Sequence, residues 1–343
     1  MMDAVAAKRP LITFALFAYN QEQYIQEAIE GAFSQTYQPL EIILSDDCSS
    51  DNTFKIMQRM SSAYIGPHTI RVNRNPINIG TAAHISLVFS LSRGRIFVVA
   101  AGDDISESTR VEKIVSAWQA NDECKSLIHS SMRQFEGLDK GQRHYANLRS
   151  INETVNSIEQ FVASWRMPAF APTCAYSREI FEEFPPLSGG SLIEDLPLMV
   201  RSLAIARLIY IDEPLVKQRK LESSAGQGFA ITRPESWNRF IHSRITALSD
   251  IIRDSTKMEK ITGKELGRLR TKARKKILSL AGFIIEPKLA NSFLVRIRMM
   301  MKLTFGCGIS GGFIERMKFA MIFAFPERYK RYKLQQKMKR FKV

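Results

Sequence analysis

The apolar positions fall into short runs separated by polar turns, and the runs alternate between two periods. Residues 11–17 (LITFALF) are almost continuously apolar, which predicts a buried strand. Beyond Tyr19 and Asn20, the residues Tyr24, Ile25, Ala28, Ile29, Ala32 and Phe33 recur at helical spacing. Asn20 with Gln23 three residues later resembles a capping box, which starts that helix at Asn20. The alternation continues with strands over 40–45, 69–72 and 95–101. Helices are predicted over FKIMQRM (54–60) and about 81–92. After residue 125 the pattern loosens. Residues 126–165 show no clear period, and 166–187 read as a proline-rich start, a strand and a short helix. A glycine pair, the acidic pair Glu194-Asp195 and a helix follow. Residues 236–254 and 264–285 are helical by pattern.

Strand, helix, strand, helix in repetition predicts a doubly wound α/β domain with a mostly parallel sheet. In such sheets ligands bind beyond the carboxyl ends of the strands. Tyr19, Asp46, Asp47, Asp103 and Asp104 all fall at strand ends, so the pattern gathers them into one crevice. The stretch VAAGDDIS (99–106) puts two carboxylates side by side at the end of a core strand, where they require a positive partner.

The 343 residues carry a formal net charge of +15, unevenly placed. Residues 1–200 hold 17 basic and 23 acidic side chains, a net of −6, and residues 201–343 a net of +21. The last part therefore reads as a surface for something anionic. Cys48, Cys124, Cys174 and Cys307 lie far apart in sequence, without zinc spacing, which fits a reducing compartment. An early acid and a Lys8-Arg9 pair precede the first short apolar run, an order unlike a signal peptide. No apolar run approaches the roughly 20 residues of a spanning helix. The expectation is a cytoplasmic protein, peripheral on the inner face of the cell membrane.

Residues 10–225 resemble a family 2 glycosyltransferase of the GT-A fold, of the bacterial surface-polysaccharide type. The resemblance rests on TFALFAYNQEQYIQEAIEGAFSQTYQPLEIILSDDCSSDNT, NPINIGTAAH, SRGRIFVVAAGDDIS, PTCAYSREIFEEF, IEDLPLMVRSLA and IDEPLVKQR, in that order. It implies a Rossmann-like nucleotide-sugar-binding half over 1–125 and an acceptor-binding half over 126–230. A basic helical extension over 231–343 lies outside it. It further implies that Phe17, Ala18, Tyr19, Asp46, Asp47, Gly80 and Asp103 bind the donor, with Tyr19 lining the base pocket and Asp47 accepting a hydrogen bond from uracil. Asp103 and Asp104 would hold Mg²⁺ or Mn²⁺ on the diphosphate, and Asp195 would be the general base. Glu194 and Arg219 would contact acceptor or phosphate. The chain departs from the fuller Asp-x-Asp-Asp pattern in having Ala101, and no histidine follows Arg219 closely. The implied reaction is inverting, metal-dependent transfer from a nucleotide-sugar, a UDP-sugar first, to a glycan or lipid-linked acceptor.

Blander readings stand beside these. Asp103-Asp104 could cap the next helix, Asp47 could be a turn residue, and Glu194-Asp195 could favour a helix dipole. A silent scaffold on the same fold and a nucleotidyltransferase are the alternative functions. GCGISG (306–311) matches a dinucleotide pattern formally but lacks a following βαβ unit, and reads as a break between helical pieces. The basic C-terminal third mixes cations with Met, Phe and Ile, as interfacial helices on anionic lipid do; no nucleic-acid motif accompanies it.

Overall fold

A computed structural model describes residues 9–135, 146–148, 155–220 and 234–281. Four strands form the parallel half of the sheet: β1 (Ile12–Ala18), β2 (Leu40–Asp46), β3 (Thr69–Arg74) and β4 (Ile96–Ala101), in the order β3-β2-β1-β4. The helices α1 (Ile25–Phe33), α2 (Thr53–Ser62) and α3 (Thr81–Leu91) connect them. β1 and β2 are buried at almost every position because helices cover both faces of the sheet, which buries both sets of alternating side chains. Phe14 and Leu16 point into one core with Ile25, Ala28 and Ile29 of α1. Ala15 and Phe17 point into the other with Ala82, Ile85 and Val88 of α3.

The second half of the sheet is mixed. β5 (Ile105–Ser106) precedes α4 (Arg110–Gln119), β6 (Ser126–Phe135) and β7 (Ala146–Leu148). After α5 (Ile158–Ser164) come β8 (Ala175–Ser177), α6 (Glu179–Glu182), α7 (Asp195–Ile205) and β9 (Arg207–Arg219). β8 joins β4 to β6 antiparallel, β9 runs parallel to β6, and β5 closes antiparallel on the far end of β9. That last pairing sets Ile105 opposite Lys217 and so carries the chain after Asp104 back against β9.

Two long helices, α8 (Pro234–Thr262) and α9 (Gly267–Ala281), pack onto this sheet assembly. Leu198 and Met199 of α7 face the sheet, whereas Leu196, Val200 and Leu203 face a separate core with Ile241, Leu248 and Ile251 of α8 and Leu269 of α9. The buried pair Arg201–Asp254, at 2.7 Å, ties α7 to α8. The basic region begins with residues that share a core with the sheet domain. Among the described residues no helix is long and apolar enough to cross a membrane. The segments 306–311 and 315–343 and Cys307 lie outside the described residues; Cys48, Cys124 and Cys174 are free thiols.

One local expectation fails. The first helix starts at Ile25, not at Asn20. Asn20 has φ 53°, a left-handed conformation, whereas an N-cap residue takes extended angles. Its Oδ1 instead accepts the Ser50 amide at 2.9 Å, joining the loops after β1 and β2.

Candidate active site

The carboxyl ends of β1, β2 and β4 are stitched together by main chain. The Phe17 carbonyl accepts from Gly102 N–H at 2.8 Å, and the Ala18 carbonyl from Asp47 N–H at 2.9 Å. Tyr19 follows at 48% exposure, on the open edge. Phe17 sets its ring edge-on to His84, 5.1 Å between centroids, and His84 shares a 2.6 Å hydrogen bond with Ser45. Burial lowers the His84 pKa; the nearby Asp47 and Asp46 oppose that shift.

The adjacent acids Asp46 and Asp47 have separate jobs. Asp46 is fully buried, accepts from Ser49 N–H at 2.9 Å and from the Ser49 hydroxyl, and pairs with Arg74 at 3.4 Å. Asp47 turns the other way. Its carboxylate accepts from Asn75 Nδ2 at 2.7 Å and from the Ile79 and Gly80 amides at 3.0 Å. It thereby fixes the 75–80 loop at the mouth of the crevice. Gly80 sits at φ 80°, and a Cβ there would come 3.1 Å from the Ser191 carbonyl. That glycine is where the 75–80 loop meets the turn leading to Glu194 and Asp195, and the Ala82 amide donates to the same Ser191 carbonyl at 3.1 Å.

Asp103 and Asp104 find positive neighbours within the protein. Arg219, the last residue of β9, donates its amide to Asp104 Oδ1 at 2.9 Å and its Nε to the Asp103 carbonyl at 3.0 Å. Its guanidinium has no exposed surface, lies between the Tyr24 and Phe135 rings and reaches Glu27 at 2.5 Å. Arg110 is also fully buried and donates to Ser106 Oγ, Val99 O and Pro172 O at 2.9–3.0 Å. Burial lowers its pKa to about 10, with Cys174 and Asp104 opposing. Burial raises the Asp103 carboxyl; its own backbone, Arg219 and Gln21 pull it back. Burial and then the Asp103 charge push Asp104 well above the usual carboxylate range, against both arginines. The Asp104 carboxylate does not cap α4, whose start has no side-chain cap.

Glu194 immediately precedes α7 and Asp195 opens it. Asp195 Oδ1 accepts the Leu196 amide at 2.7 Å. Burial and the Asp195 charge push the Glu194 carboxyl up to about 8. Burial raises Asp195 as well, while the Leu196 amide and the Arg244 guanidinium of α8 hold it down. Cys174, in the turn before β8, is pushed up to about 12 by burial and feels Asp195, Arg110 and Glu194. The field of the acidic pair thus reaches a cysteine that also feels the cation beside Asp104.

A hard divalent cation fits this chemistry. Asp103 and Asp104 are oxygen donors whose mutual repulsion a cation relieves, and the buried Gln21 Oε1 near Gly102 has no hydrogen-bond partner. Among the described residues no group of three or more His, Cys, Asp or Glu could hold a metal, so a cation here would need further oxygen ligands from substrate or water. Arg110, Arg244, Glu27 and Gln21 were not identified from sequence. Each is brought in by tertiary contacts. Arg110 alone carried a local signal, as a charged residue placed on the apolar stripe Val111, Ile114, Val115, Trp118.

The family described as "Glycosyl transferase family 2" matches residues 13–184. An uncharacterised glycosyltransferase of Haemophilus influenzae is 32% identical over 118 residues, covering 34% of this chain and 36% of the relative. The Escherichia coli protein WfaP, named as a UDP-Glc:alpha-D-GlcNAc-diphosphoundecaprenol beta-1,3-glucosyltransferase, is 30% identical over 101 residues, 29% of this chain and 38% of that one. The matched stretches span little more than a third of either relative. Among solved structures, the mannosyltransferase PcManGT of Pyrobaculum calidifontis, in complex with GDP-Man and Mn²⁺, superposes with a TM-score of 0.52 at 15% identity, covering 94% of this chain and 89% of that one. That likeness is one of fold. With half of the chain matched to one family and its carboxylates gathered on the ligand-binding edge of the sheet, the chain belongs to glycosyltransferase family 2.

Proposed function

We propose that the protein transfers a sugar from a nucleoside-diphosphate donor, a UDP-sugar first, to a hydroxyl of a glycan or lipid-linked acceptor, with inversion. One observation carries the reading: Tyr19, Asp47 and the Asp103-Asp104 pair converge on one strand edge, with the acidic start of α7 joined to that edge through Ser191. Tyr19 and the loop fixed by Asp47 bind the base and ribose. Arg219 and Arg110 hold the Asp103-Asp104 turn rigid. Asp195 accepts the acceptor proton as the hydroxyl attacks the anomeric carbon. A Mg²⁺ or Mn²⁺ ion held by Asp103 and Asp104 supplies charge stabilisation for the departing diphosphate. Assignment of a UDP-sugar and a lipid-linked acceptor follows the name of the E. coli relative.

The basic extension suits an anionic membrane surface. In α9, Arg268, Lys272, Arg274 and Lys275 are exposed, and Leu278 is 74% exposed beside them. On this reading the enzyme works beside a lipid-linked acceptor in surface-polysaccharide assembly.

Turnover of a panel of UDP-, dTDP- and GDP-sugars, with Mn²⁺ and with chelator, tests the activity. Release of nucleotide that chelator abolishes is expected, together with its loss in Asp195→Asn. Absence of both turnover and binding across the panel would leave the scaffold reading. Flotation with anionic liposomes, lost when Arg268, Lys272 and Lys275 become Glu, tests the membrane surface.

A further inference from the structure

We propose that Asp250 of α8 is a positioning residue for the transfer step: through Ser188 it holds the 187–193 turn that leads from the 75–80 loop into Glu194 and Asp195. The inference rests on the reading of Asp195 as the base.

The segment between α6 and α7 has little within it to set its shape. It carries the exposed pair Gly189-Gly190, and Gly190 sits at φ 75°, where a Cβ would meet nothing within 4 Å. Glycine loses more conformational freedom on folding than any other residue, so two in succession need holding from outside. α7 then starts without a side-chain cap at Glu194, and its first turn takes its place from the residues before it.

The hold comes from two sides. On the α3 side, the Leu187 amide donates to Ser86 Oγ at 3.0 Å, the Gly190 amide to the Ile79 carbonyl at 3.2 Å, and the Ala82 amide to the Ser191 carbonyl at 3.1 Å. On the α8 side, Asp250 takes both polar hydrogens of Ser188, the amide on Oδ2 at 3.0 Å and the hydroxyl on Oδ1 at 2.6 Å. Ser243 holds the other end of the turn. Its carbonyl accepts from Ser191 Oγ at 3.1 Å and its Oγ from the Leu192 amide at 3.2 Å. Ser243 and Asp250 are about two helical turns apart, so they share one face of α8 and grip the chain on either side of the glycine pair.

Asp250 is the charged member of this set. It is 2% exposed, and Arg253 Nη1 completes its carboxylate at 2.9 Å. Hydrogen bonds to an ionised acceptor are about twice as strong as those between neutral groups, and every other contact of the turn named above is neutral. The 75–80 loop does not depend on it, because Asp47 fixes that loop through the Ile79 and Gly80 amides. Removing the Asp250 carboxylate therefore loosens the lead into Asp195 and leaves the base-binding loop in place. A group misplaced by about 1 Å loses up to about a hundredfold in rate, so the effect falls on kcat rather than on donor affinity.

The test uses the full chain with Mn²⁺ and whichever of the UDP-, dTDP- and GDP-sugars the wild type turns over fastest. In Asp250→Ala, kcat per site, counted by titration with the matching nucleoside diphosphate, should fall about tenfold, with donor KM and nucleotide Kd within about twofold. Asp250→Asn keeps an oxygen for the Ser188 amide and gains an NH₂ for its hydroxyl, and should recover most of kcat. Met258→Ala empties a buried position on the same helix without removing a bond to the turn, and should lower stability yet keep kcat per site. Amide exchange in peptides spanning 187–196 should rise in Asp250→Ala and not in Met258→Ala. An unchanged kcat in Asp250→Ala, or an equal loss in Met258→Ala, overturns the proposal. If Asp250→Ala does not fold, Ser188→Ala, which removes the hydroxyl bond alone, carries the same test with a loss of about threefold. Turnover kept in Asp195→Asn refutes the base reading; turnover lost there but kept in Asp250→Ala refutes this proposal alone.

Discussion

The contact between α7 and α8 makes an asymmetric prediction. Arg201 and Asp254 have 1% and 0% of their side chains exposed and meet at 2.7–2.8 Å through Nε and Nη2. Breaking a buried pair strands the partner and costs about 3–5 kcal/mol. The two partners are not equally dependent on each other. Asp254 Oδ1 also accepts from Arg253 Nε at 2.9 Å, whereas among the described residues Arg201 has the Pro185 carbonyl at 2.7 Å as its further hydrogen-bond acceptor, with the uncharged Phe184 ring 4.9 Å away. Asp254→Leu leaves a buried guanidinium with one neutral acceptor and belongs at the upper end, about 4–5 kcal/mol. Arg201→Met leaves a carboxylate that keeps a half-exposed arginine and belongs lower, about 2–3 kcal/mol. Replacing both by apolar residues should recover most of the loss, because no buried charge is left uncompensated. Urea unfolding with linear extrapolation measures all four proteins. A smaller loss for Asp254→Leu than for Arg201→Met, or a double variant as unstable as the sum of the singles, would refute this account.

Other outcomes follow from the same site. Gly80→Ala forces a side chain into φ 80° and against Ser191 O, and should cost about 1–3 kcal/mol in a denaturation series while weakening donor binding through the Asp47 loop. Glu194 has its folded pKa raised to about 8 from 4.5, so the stability it contributes at low pH is lost as pH rises between those values; Glu194→Gln should flatten that decline in urea melts. Glu41 has the opposite sign. Burial pushes it up, but the Thr13 hydroxyl and Arg93 outweigh burial and leave it below 4.5. Its stability is present above that value and lost below it, so Glu41→Gln should show a shallower acid transition.

The sequence by itself determined the parallel half of the sheet and the placing of its chemistry. Continuous apolar runs ending in carboxylates specify strands buried on both faces, with their acids left at the ligand-binding edge. Those signals are local in the chain. What tertiary structure alone decided is how the acids are held. β5 is two residues long, too short for any period to show, yet it folds Asp104 back onto Arg219 across 115 positions. Asn20 carries the chemistry of a helix cap, but the loop after β2 offers it the Ser50 amide in a left-handed turn instead. Arg201 reads as one cation on an apolar helix until α8 docks on α7 and brings Asp254 against it at 2.7 Å. The physical reason is common to all three. A carboxylate's protonation and a side chain's partner depend on charges and desolvation arriving from distant segments, and packing fixes those distances whereas periodicity does not.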